Sequence, residues 1–213
     1  MANYLTISSQ SEAAFREKMS RFISFAIPVT SAVEAKEYVA LYANEYHDAR
    51  HVCWAYMIGS DRKEYLSSDN GEPSGTAGKP ILGQINSFGL TNVVIIVVRY
   101  FGGIKLGTSG LIAAYREAAR LAIEAAEIIE EKDMTTLTFT FPYLAMNDVM
   151  KVLKAQRSPS GREVVRIMEQ SFDNTCRITL SLPLDLLPEM SGRIASISGT
   201  SLLDSAEATA DAD

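Results

Sequence analysis

The sequence is poor in cysteine and contains no long apolar run. The 213 residues include two cysteines, Cys53 and Cys176, which are far apart in the sequence. Two cysteines are too few for a cysteine metal cluster, and their separation argues against a disulfide framework. We expect both to be buried, reduced thiols. No apolar stretch approaches the ~20 residues needed to span a bilayer, and the opening MANYLTISSQ lacks the basic and apolar regions of a secretory signal. These absences predict a cytoplasmic protein without a membrane partner.

A general excess of basic charge is also missing. The net charge of -6 argues against a protein that coats nucleic acid through an overall basic surface. Residues 1–130 carry -2 (12 basic, 14 acidic) and residues 131–213 carry -4 (8 basic, 12 acidic). The acidic end of the chain predicts a disordered tail over 205–213. One local basic patch remains, either a phosphate-binding surface or a solvated charged face: Lys151, Lys154, Arg157, Arg162 and Arg166.

The first 130 residues mix strand and helix patterns. Residues 15–29 predict two strands or one bent strand, and Ser31 with Glu34 forms a capping box for a helix ending near residue 46 or 47. HVCWAYMI predicts a strand with both faces covered, and VVIIVVRYF predicts a central strand. A short strand is expected near residue 65. Two further helices are predicted, one from an N-cap at Thr76 to Ser87 and one along LIAAYREAARLAIEAAEII.

After Glu131 the pattern starts again, which predicts a second domain over 131–204. TLTFTF, EVVRIMEQSF, CRITLSL and GTSLLD are expected strands. YLAMNDVMKVLKAQ is an expected helix, and PLDLLPEMSGRIAS is another that Pro188 could interrupt. The resulting order βαββαβ predicts a ferredoxin-like sandwich, so the whole chain is assigned to the α+β class.

Two glycine-rich loops precede predicted helices: DNGEPSGTAGKPIL over Asp69–Leu82 and GGIKLGTSG over 102–110. A Walker P-loop is excluded, because Pro73 stands where its first glycine is required and Pro80 follows Lys79. Glycines at 102, 103, 107 and 110 do not fit the dinucleotide pattern either. Two interpretations remain open. The loops deliver helix N-termini to an anion, or the glycines only permit tight turns while the charges pair locally.

Histidine, serine and cysteine positions do not define a reaction or a metal site. His47 and His51 are four residues apart, but the helix is predicted to end between them and no third ligand is adjacent. His51 is expected to begin a strand and to hydrogen-bond a loop. Ser74 and Ser109 are suggested as nucleophiles by nothing more than small neighbours. No catalytic residue, metal or cofactor is predicted.

Three ordered segments together resemble the signature of the YigZ/IMPACT family. They are HDARHVCWAY, SDNGEPSGTAGKPIL and VVRYFGGIKLGTSGLIAAY, and they lie within the first 130 residues. The resemblance implies an IMPACT-type domain of the ribosomal protein S5 domain 2-like fold over 1–130. It also implies that residues 131–204 are similar to the last domain of elongation factor G. The RWD domain of the eukaryotic members, through which they connect to translation control, has no counterpart here, so that role is not expected to transfer directly.

The family motif can be placed on this sequence residue by residue. Ser109 and Ala113 depart from it, since many members have glycine and a basic residue there, which weakens an anion site at that helix start. The resemblance implies no catalytic residues. The matching positions are His51, Asp69, Gly71, Glu72, Pro73, Gly75, Thr76, Gly78, Arg99, Tyr100, Gly102, Gly103, Lys105, Gly107, Gly110, Leu111, Ala114 and Tyr115.

Two functional hypotheses follow. The first is a non-catalytic factor that binds nucleic acid, the ribosome or a translation-related protein and is linked to regulation of translation, using the basic patch with Arg99 and Lys105. The second is an enzyme or a binder of a small phosphate-containing ligand, with Asp69 or Glu72 as base and Arg99 or Lys105 as anion anchor. The candidate cleft residues are His51, Asp69, Glu72, Thr76, Arg99, Lys105, Thr108 and Tyr115.

Overall fold

The computed structural model describes residues 3–154, 164–173 and 175–203. The chain divides into two compact units, Asn3–Glu131 and the part that begins at Lys132. Each unit has its own hydrophobic core, two clusters in the first unit and one in the second. The first contains both glycine-rich loops.

The first unit is built on a five-stranded sheet in which every neighbouring pair is antiparallel. Its strand order is β2-β3-β6-β4-β5, and β1 pairs with β7 in a separate two-stranded sheet. The strand bounds are β1 Asn3–Ile7, β2 Ser11–Glu17, β3 Ser20–Pro28, β4 His51–Ile58, β5 Glu64–Ser68, β6 Val93–Tyr100 and β7 Ile128–Lys132.

Three helices cover both faces of this sheet: α1 Ala32–Glu45, α2 Gly78–Ser87 and α3 Gly107–Glu124. The central strand β6 alternates between two cores because successive side chains of a strand point to opposite faces. Its odd-numbered residues 93, 95 and 97 pack with α2 and α3. Its even-numbered residues 94, 96 and 98 pack with α1. This explains why the sequence is apolar without interruption from Val93 to Val98.

Most of the local predictions for the first unit are confirmed. The Ser31 hydroxyl accepts from the Glu34 backbone N–H at 3.2 Å, as the capping box predicted, and α1 ends at Glu45, next to the predicted end near residue 46 or 47. The Glu34 carboxylate in turn accepts from the backbone N–H of Thr30 at 2.7 Å. The helix predicted along residues 111–129 is partly wrong. It begins earlier, at Gly107, and ends at Glu124, because Ile128–Lys132 pairs with β1 as strand β7.

The second unit is a four-stranded antiparallel sheet of order β11-β8-β10-β9. Its elements appear in the order predicted from the sequence. Pro188 lies in the first turn of its second helix and does not interrupt it, because a first-turn residue needs no internal N–H bond. The tail predicted over 205–213 lies outside the described residues. The bounds are β8 Met134–Pro142, α4 Met146–Lys154, β9 Arg166–Phe172, β10 Thr175–Pro183, α5 Leu187–Ala195 and β11 Ser201–Leu203.

The second unit repeats one strand-turn-helix pattern. Strand β8 and helix α4 begin at residues 134 and 146, and β10 and α5 begin at 175 and 187, the same spacing in both halves. Equivalent residues of the two halves, Thr138 and Thr179, face each other across the β8–β10 pairing, with their hydroxyl oxygens 3.1 Å apart. The two halves are therefore related by an approximate two-fold axis through this pair.

Candidate functional site

A row of side chains crosses the end of the five-stranded sheet. Arg99 on β6 lies opposite His51 on β4 and opposite Phe22 on β3. Residue 99 continues the odd-numbered face of β6, so this row lies on the side covered by α2 and α3. It sits at the sheet end because β4 begins there and β6 finishes there.

Arg99 is buried and its charge is already paired. Its Nη1 donates to Glu72 Oε1 at 2.6 Å and its Nη2 donates to the Ser20 hydroxyl at 3.3 Å. The guanidinium lies 5.6 Å from the ring centroids of both Phe22 and Phe101. Its Nε has no hydrogen-bond partner among the described residues. Arg99 therefore joins the first glycine-rich loop to the ends of β3 and β6 and is not the free anion anchor that the sequence suggested.

Glu72 is the partner that makes this arrangement possible. Its side chain is 4% exposed, so the loop does not present this carboxylate to solvent. Besides Arg99, its Oε1 accepts from the Tyr115 hydroxyl of α3 at 2.8 Å. Burial raises the pKa of Tyr115 far above its ordinary value. Burial also raises the pKa of Cys53 to about 12, so this thiol, which touches Tyr115, stays protonated and is a poor nucleophile.

Asp69 fills the N-terminus of α2 from inside the protein. Its carboxylate accepts from the backbone N–H groups of Gly75 at 2.7 Å, Ala77 at 2.9 Å and Gly78 at 2.8 Å. Burial alone would raise the pKa of Asp69, but these three bonds and the charge of Lys79 outweigh it, so its pKa lies below the ordinary value. The α2 terminus already holds an anion, and Asp69 is not an exposed carboxylate.

Thr76 does not cap α2, and the predicted N-cap there is wrong. The helix begins at Gly78, Ala77 occupies the cap position, and Thr76 is buried. The Thr76 hydroxyl donates to the Pro73 carbonyl oxygen at 2.6 Å, which stabilises the preceding turn. The carboxylate of Asp69, eight residues before Ala77, takes the capping role, and no short-range rule for caps looks that far along the chain.

The N-terminus of α3 differs from that of α2. No side chain of the described residues caps it, and its first turn contains no acidic residue. Thr108 and Lys105 are exposed beside it. Lys105 forms no ion pair within the described part of the chain, whereas Arg99 does. Unpaired N–H groups at the start of an 18-residue helix carry partial positive charge and favour an anion.

A pocket of about 600 Å³ opens between the two glycine-rich loops. Residues 71–73 of the first loop and 105–108 of the second line it, together with the His51–Arg99 end of the sheet. Of the eight candidate cleft residues, those that line it are His51, Glu72, Arg99, Lys105 and Thr108. Tyr115 supports Glu72 from behind, and Asp69 and Thr76 organise the α2 terminus, so these three act outside the pocket wall.

Arg50 and Phe101 also line the pocket and were missed from the sequence. Both are exposed. Arg50 directly precedes His51 at the start of β4, and Phe101 directly follows the end of β6, two residues after Arg99. The sequence did offer a signal for them, because each is a basic or aromatic residue next to the end of a strand that carries a candidate site residue. Arg50 adds a second cation to the pocket, and the structure describes no ion pair for it.

His51 begins β4 and hydrogen-bonds a loop, as predicted. Its Nδ1 lies 2.9 Å from the Asn70 carbonyl oxygen, and its Nε2 lies 3.8 Å from Glu72 Oε1. The helix α1 ends before His47, so the two histidines do not share a helical face. Within residues 3–154, 164–173 and 175–203, no group of three or more His, Cys, Asp or Glu side chains is placed to hold a metal ion. Cys53 and Cys176 are buried free thiols, as predicted.

The basic patch of the second unit is described only in part. Lys151 lies on α4 with its Nζ 3.0 Å from Asp148 Oδ1, so part of its charge is engaged locally. Lys154 is the last residue of α4 and Arg166 the first of β9. Arg157 and Arg162 lie outside the described residues.

None of the helices in the described ranges combines the length and the apolar character needed to span a bilayer.

Comparison with known proteins identifies relatives over most of the chain. The model of the Impact N-terminal domain matches residues 18–123. IMPACT family member YigZ of Escherichia coli is 32% identical over 87% of this chain and 88% of its own. IMPACT family member YvyE of Bacillus subtilis is 33% identical over 71% and 70%. A crystal structure of a hypothetical protein superposes with a TM-score of 0.72 at 29% identity, covering 95% of this chain and 97% of that one.

Proposed function

The chain belongs to the IMPACT family, and from that premise and the geometry of the pocket we propose that it is a cytoplasmic, non-catalytic factor that binds RNA phosphate and is linked to regulation of translation. The observation that carries the proposal is the uncapped N-terminus of α3, which opens on the pocket beside Lys105 and Arg50. A phosphate placed there would gain the helix dipole, free N–H donors and two cations.

The net negative charge of the chain does not oppose this binding. The nearest buried acid, Glu72, is neutralised by Arg99 at 2.6 Å, and Asp69 is held by three backbone N–H groups at the start of α2. The pocket therefore presents cations and helix N–H groups at its mouth while its acids are already engaged. Burial in a concave wall also screens this local field less than an open surface would.

The two inferred folds give the proposal its connection to translation. For the second unit, the order βαββαβ and the sheet order β11-β8-β10-β9 support a ferredoxin-like assignment similar to the last domain of elongation factor G. For the first, the antiparallel sheet with α1 on one face and α2 and α3 on the other supports the ribosomal protein S5 domain 2-like assignment. Both folds recur in ribosomal or ribosome-associated proteins, which is an argument by analogy.

A small phosphate-containing ligand is the second candidate. It is favoured by the pocket volume of about 600 Å³, because sites for small ligands enclose roughly 300–1,000 Å³. The shared chemistry is a phosphate group at the α3 terminus, so both candidates predict the same contacts with Lys105 and Thr108 at the pocket mouth.

Fluorescence anisotropy with a short labelled RNA tests the proposal at several salt concentrations between about 50 and 200 mM. We expect affinity to fall as salt rises, because phosphate contacts release counterions. Lys105→Ala should weaken binding and reduce the salt slope by about 1. Lys36→Ala, an exposed lysine on α1 that does not line the pocket, is the matched control and should bind as the unchanged protein does.

Three outcomes decide between the candidates. Salt-dependent RNA binding that is weakened in Lys105→Ala supports the RNA proposal. Loss in Lys154→Ala with Lys105→Ala unaffected would move the RNA surface to the second unit and reject the pocket. The small-ligand candidate replaces the RNA proposal if RNA does not bind at about 50 mM salt but phosphorylated metabolites raise the melting temperature of the unchanged chain and not that of Lys105→Ala.

A further inference from the structure

The ring of His51 has a fixed orientation in the pocket wall. Its Nδ1 lies 2.9 Å from the Asn70 carbonyl oxygen, which can only accept, so Nδ1 carries the proton. In the neutral imidazole this leaves a lone pair on Nε2. The 3.8 Å from Nε2 to Glu72 Oε1 is too long for a hydrogen bond, and no other described residue donates to Nε2. His51 therefore offers the pocket an unused acceptor.

Glu72 offers a second acceptor. Both hydrogen bonds that its carboxylate receives, from Arg99 and from Tyr115, end on Oε1. Oε2 accepts none from the residues that the structure describes, although the side chain is 4% exposed and lines the pocket. A carboxylate oxygen in so buried a position is stabilised by any donor that reaches it.

The pocket thus has two chemically opposite parts. Its mouth, formed by the start of α3 with Lys105 and Arg50, supplies donors and positive charge. Its wall at His51 and Glu72 supplies acceptors. A bare phosphate dianion suits the mouth but has no donor for the wall. A ligand that suits both parts has a phosphate and, next to it, a group that donates a hydrogen bond.

We infer that the pocket binds a phosphate ester bearing a neighbouring hydroxyl group, which donates to His51 Nε2 beside the open Glu72 Oε2 while the phosphate lies at the start of α3. This inference rests on the proposed phosphate site and names the chemical class of its ligand. The ribose-phosphate unit of RNA has this chemistry through its 2′-hydroxyl, and a free polyol or sugar phosphate has it as well. The chain should then distinguish RNA from DNA at this site.

Two matched pairs of ligands test the inference on the unchanged full chain. The first pair is a short RNA and its 2′-deoxy counterpart with the same bases, measured by anisotropy. The second is glycerol 3-phosphate and propyl phosphate, measured by titration calorimetry. One hydrogen bond to a charged or buried acceptor corresponds to roughly tenfold in affinity, so we expect the hydroxyl-bearing member to bind at least about tenfold more tightly in one pair. The pair that discriminates identifies the source of the ligand.

Variants locate the discrimination. His51→Phe removes the Nε2 acceptor and keeps a flat ring, so the preference should fall to about one while the affinity for the hydroxyl-free member is kept. His51→Gln, whose amide oxygen can accept, should restore part of the preference. Lys105→Ala should weaken both members equally and leave their ratio unchanged, because it acts on the phosphate. Circular dichroism checks that each variant is folded, and the comparison in the unchanged chain stands without them.

The possible results separate this inference from the proposed function. Discrimination in either pair, abolished by His51→Phe, supports it. Equal binding of both members in both pairs, still weakened by Lys105→Ala, overturns the hydroxyl site and leaves the phosphate site intact. Binding of neither pair overturns both.

Discussion

The two glycine-rich loops lead into helices whose N-termini differ, since one is capped by a side chain and the other is not. At α2 the carboxylate of Asp69 accepts from three backbone N–H groups at 2.7–2.9 Å. At α3 no described side chain caps the helix, and the pocket opens in front of it. The same sequence feature therefore builds the scaffold in one loop and a candidate binding site in the other. What decides between them is whether the protein supplies its own anion.

The comparison extends to the charges of the loops. Arg99 and Glu72 neutralise each other in the interior at 2.6 Å, whereas Lys105 and Arg50 stay at the pocket mouth. A buried pair such as this contributes little net stability relative to apolar packing, but loss of either partner leaves an unpaired buried charge. The first loop and the strand end thus form a wall whose charges are paired, whereas Lys105 of the second loop and Arg50 before β4 present charges that no described residue pairs.

The largest effect is expected from Gly102→Ala in the second loop. A Cβ atom on Gly102 would lie 2.1 Å from the backbone of Met19, in the turn between β2 and β3. Since neither backbone can move away without distorting the sheet, we expect unfolding free energy to fall by about 3 kcal/mol in urea denaturation. Gly83→Ala in α2 is the control. Its Cβ meets nothing within 4 Å, so it should be neutral or raise stability by about 0.5–1 kcal/mol. An unchanged midpoint for Gly102→Ala would show that the loop does not pack against that turn.

Asp69→Ala should have the next largest effect. It leaves three N–H groups at the start of α2 without their acceptor, two of them on the buried residues Ala77 and Gly78, so we expect a loss of about 2 kcal/mol in unfolding free energy. Asp69→Asn keeps one acceptor oxygen without the charge and should fall between. RNA binding at the pocket should persist in the folded fraction of both variants. A new phosphate site at the start of α2 in Asp69→Ala would confirm directly that the two helix starts differ in whether the protein supplies its own anion.

Acid should weaken the α2 terminus in the same way. The pKa of Asp69 is lowered in the folded state, so its contribution to stability is complete above the unfolded-state pKa of about 4 and is lost as the pH falls through the lower folded-state pKa. The stability difference between the unchanged chain and Asp69→Asn should therefore shrink below about pH 4. Urea midpoints of both chains across this range measure it. A difference that stays constant with pH would contradict a lowered pKa.

The smallest effect on stability is expected from Thr108→Asp, which gives α3 the anion that α2 already has. The new carboxylate in the first turn should raise unfolding free energy by about 0.5 kcal/mol through the helix dipole. The new carboxylate should also abolish phosphate binding, because it would occupy the start of α3 and repel the negatively charged phosphate there. Thr108→Asn is the uncharged control and should retain most of the binding. Unaltered phosphate affinity in Thr108→Asp would place the ligand elsewhere.

Sequence patterns were sufficient for much of the fold and for part of the site. The capping box at Ser31, the buried strand from Val93 to Val98 and the position of His51 at a strand start were all readable, because each depends on residues within a few positions of one another. The strand β7 was not readable. Its isoleucines continue a helical pattern, and pairing with β1, more than 120 residues earlier, decides its conformation.

The amino-acid sequence by itself determined most of the elements, the family and the two loops that approach the site, since local spacing and composition encode these. Only the tertiary structure decided which charges are free. Arg99 became a buried partner of Glu72, 27 residues away, and Asp69 became the cap of a helix that starts nine residues later. A charged residue looks the same in a sequence whether it is neutralised or available, because its partner is set by which backbone segments meet in space and by the burial that follows.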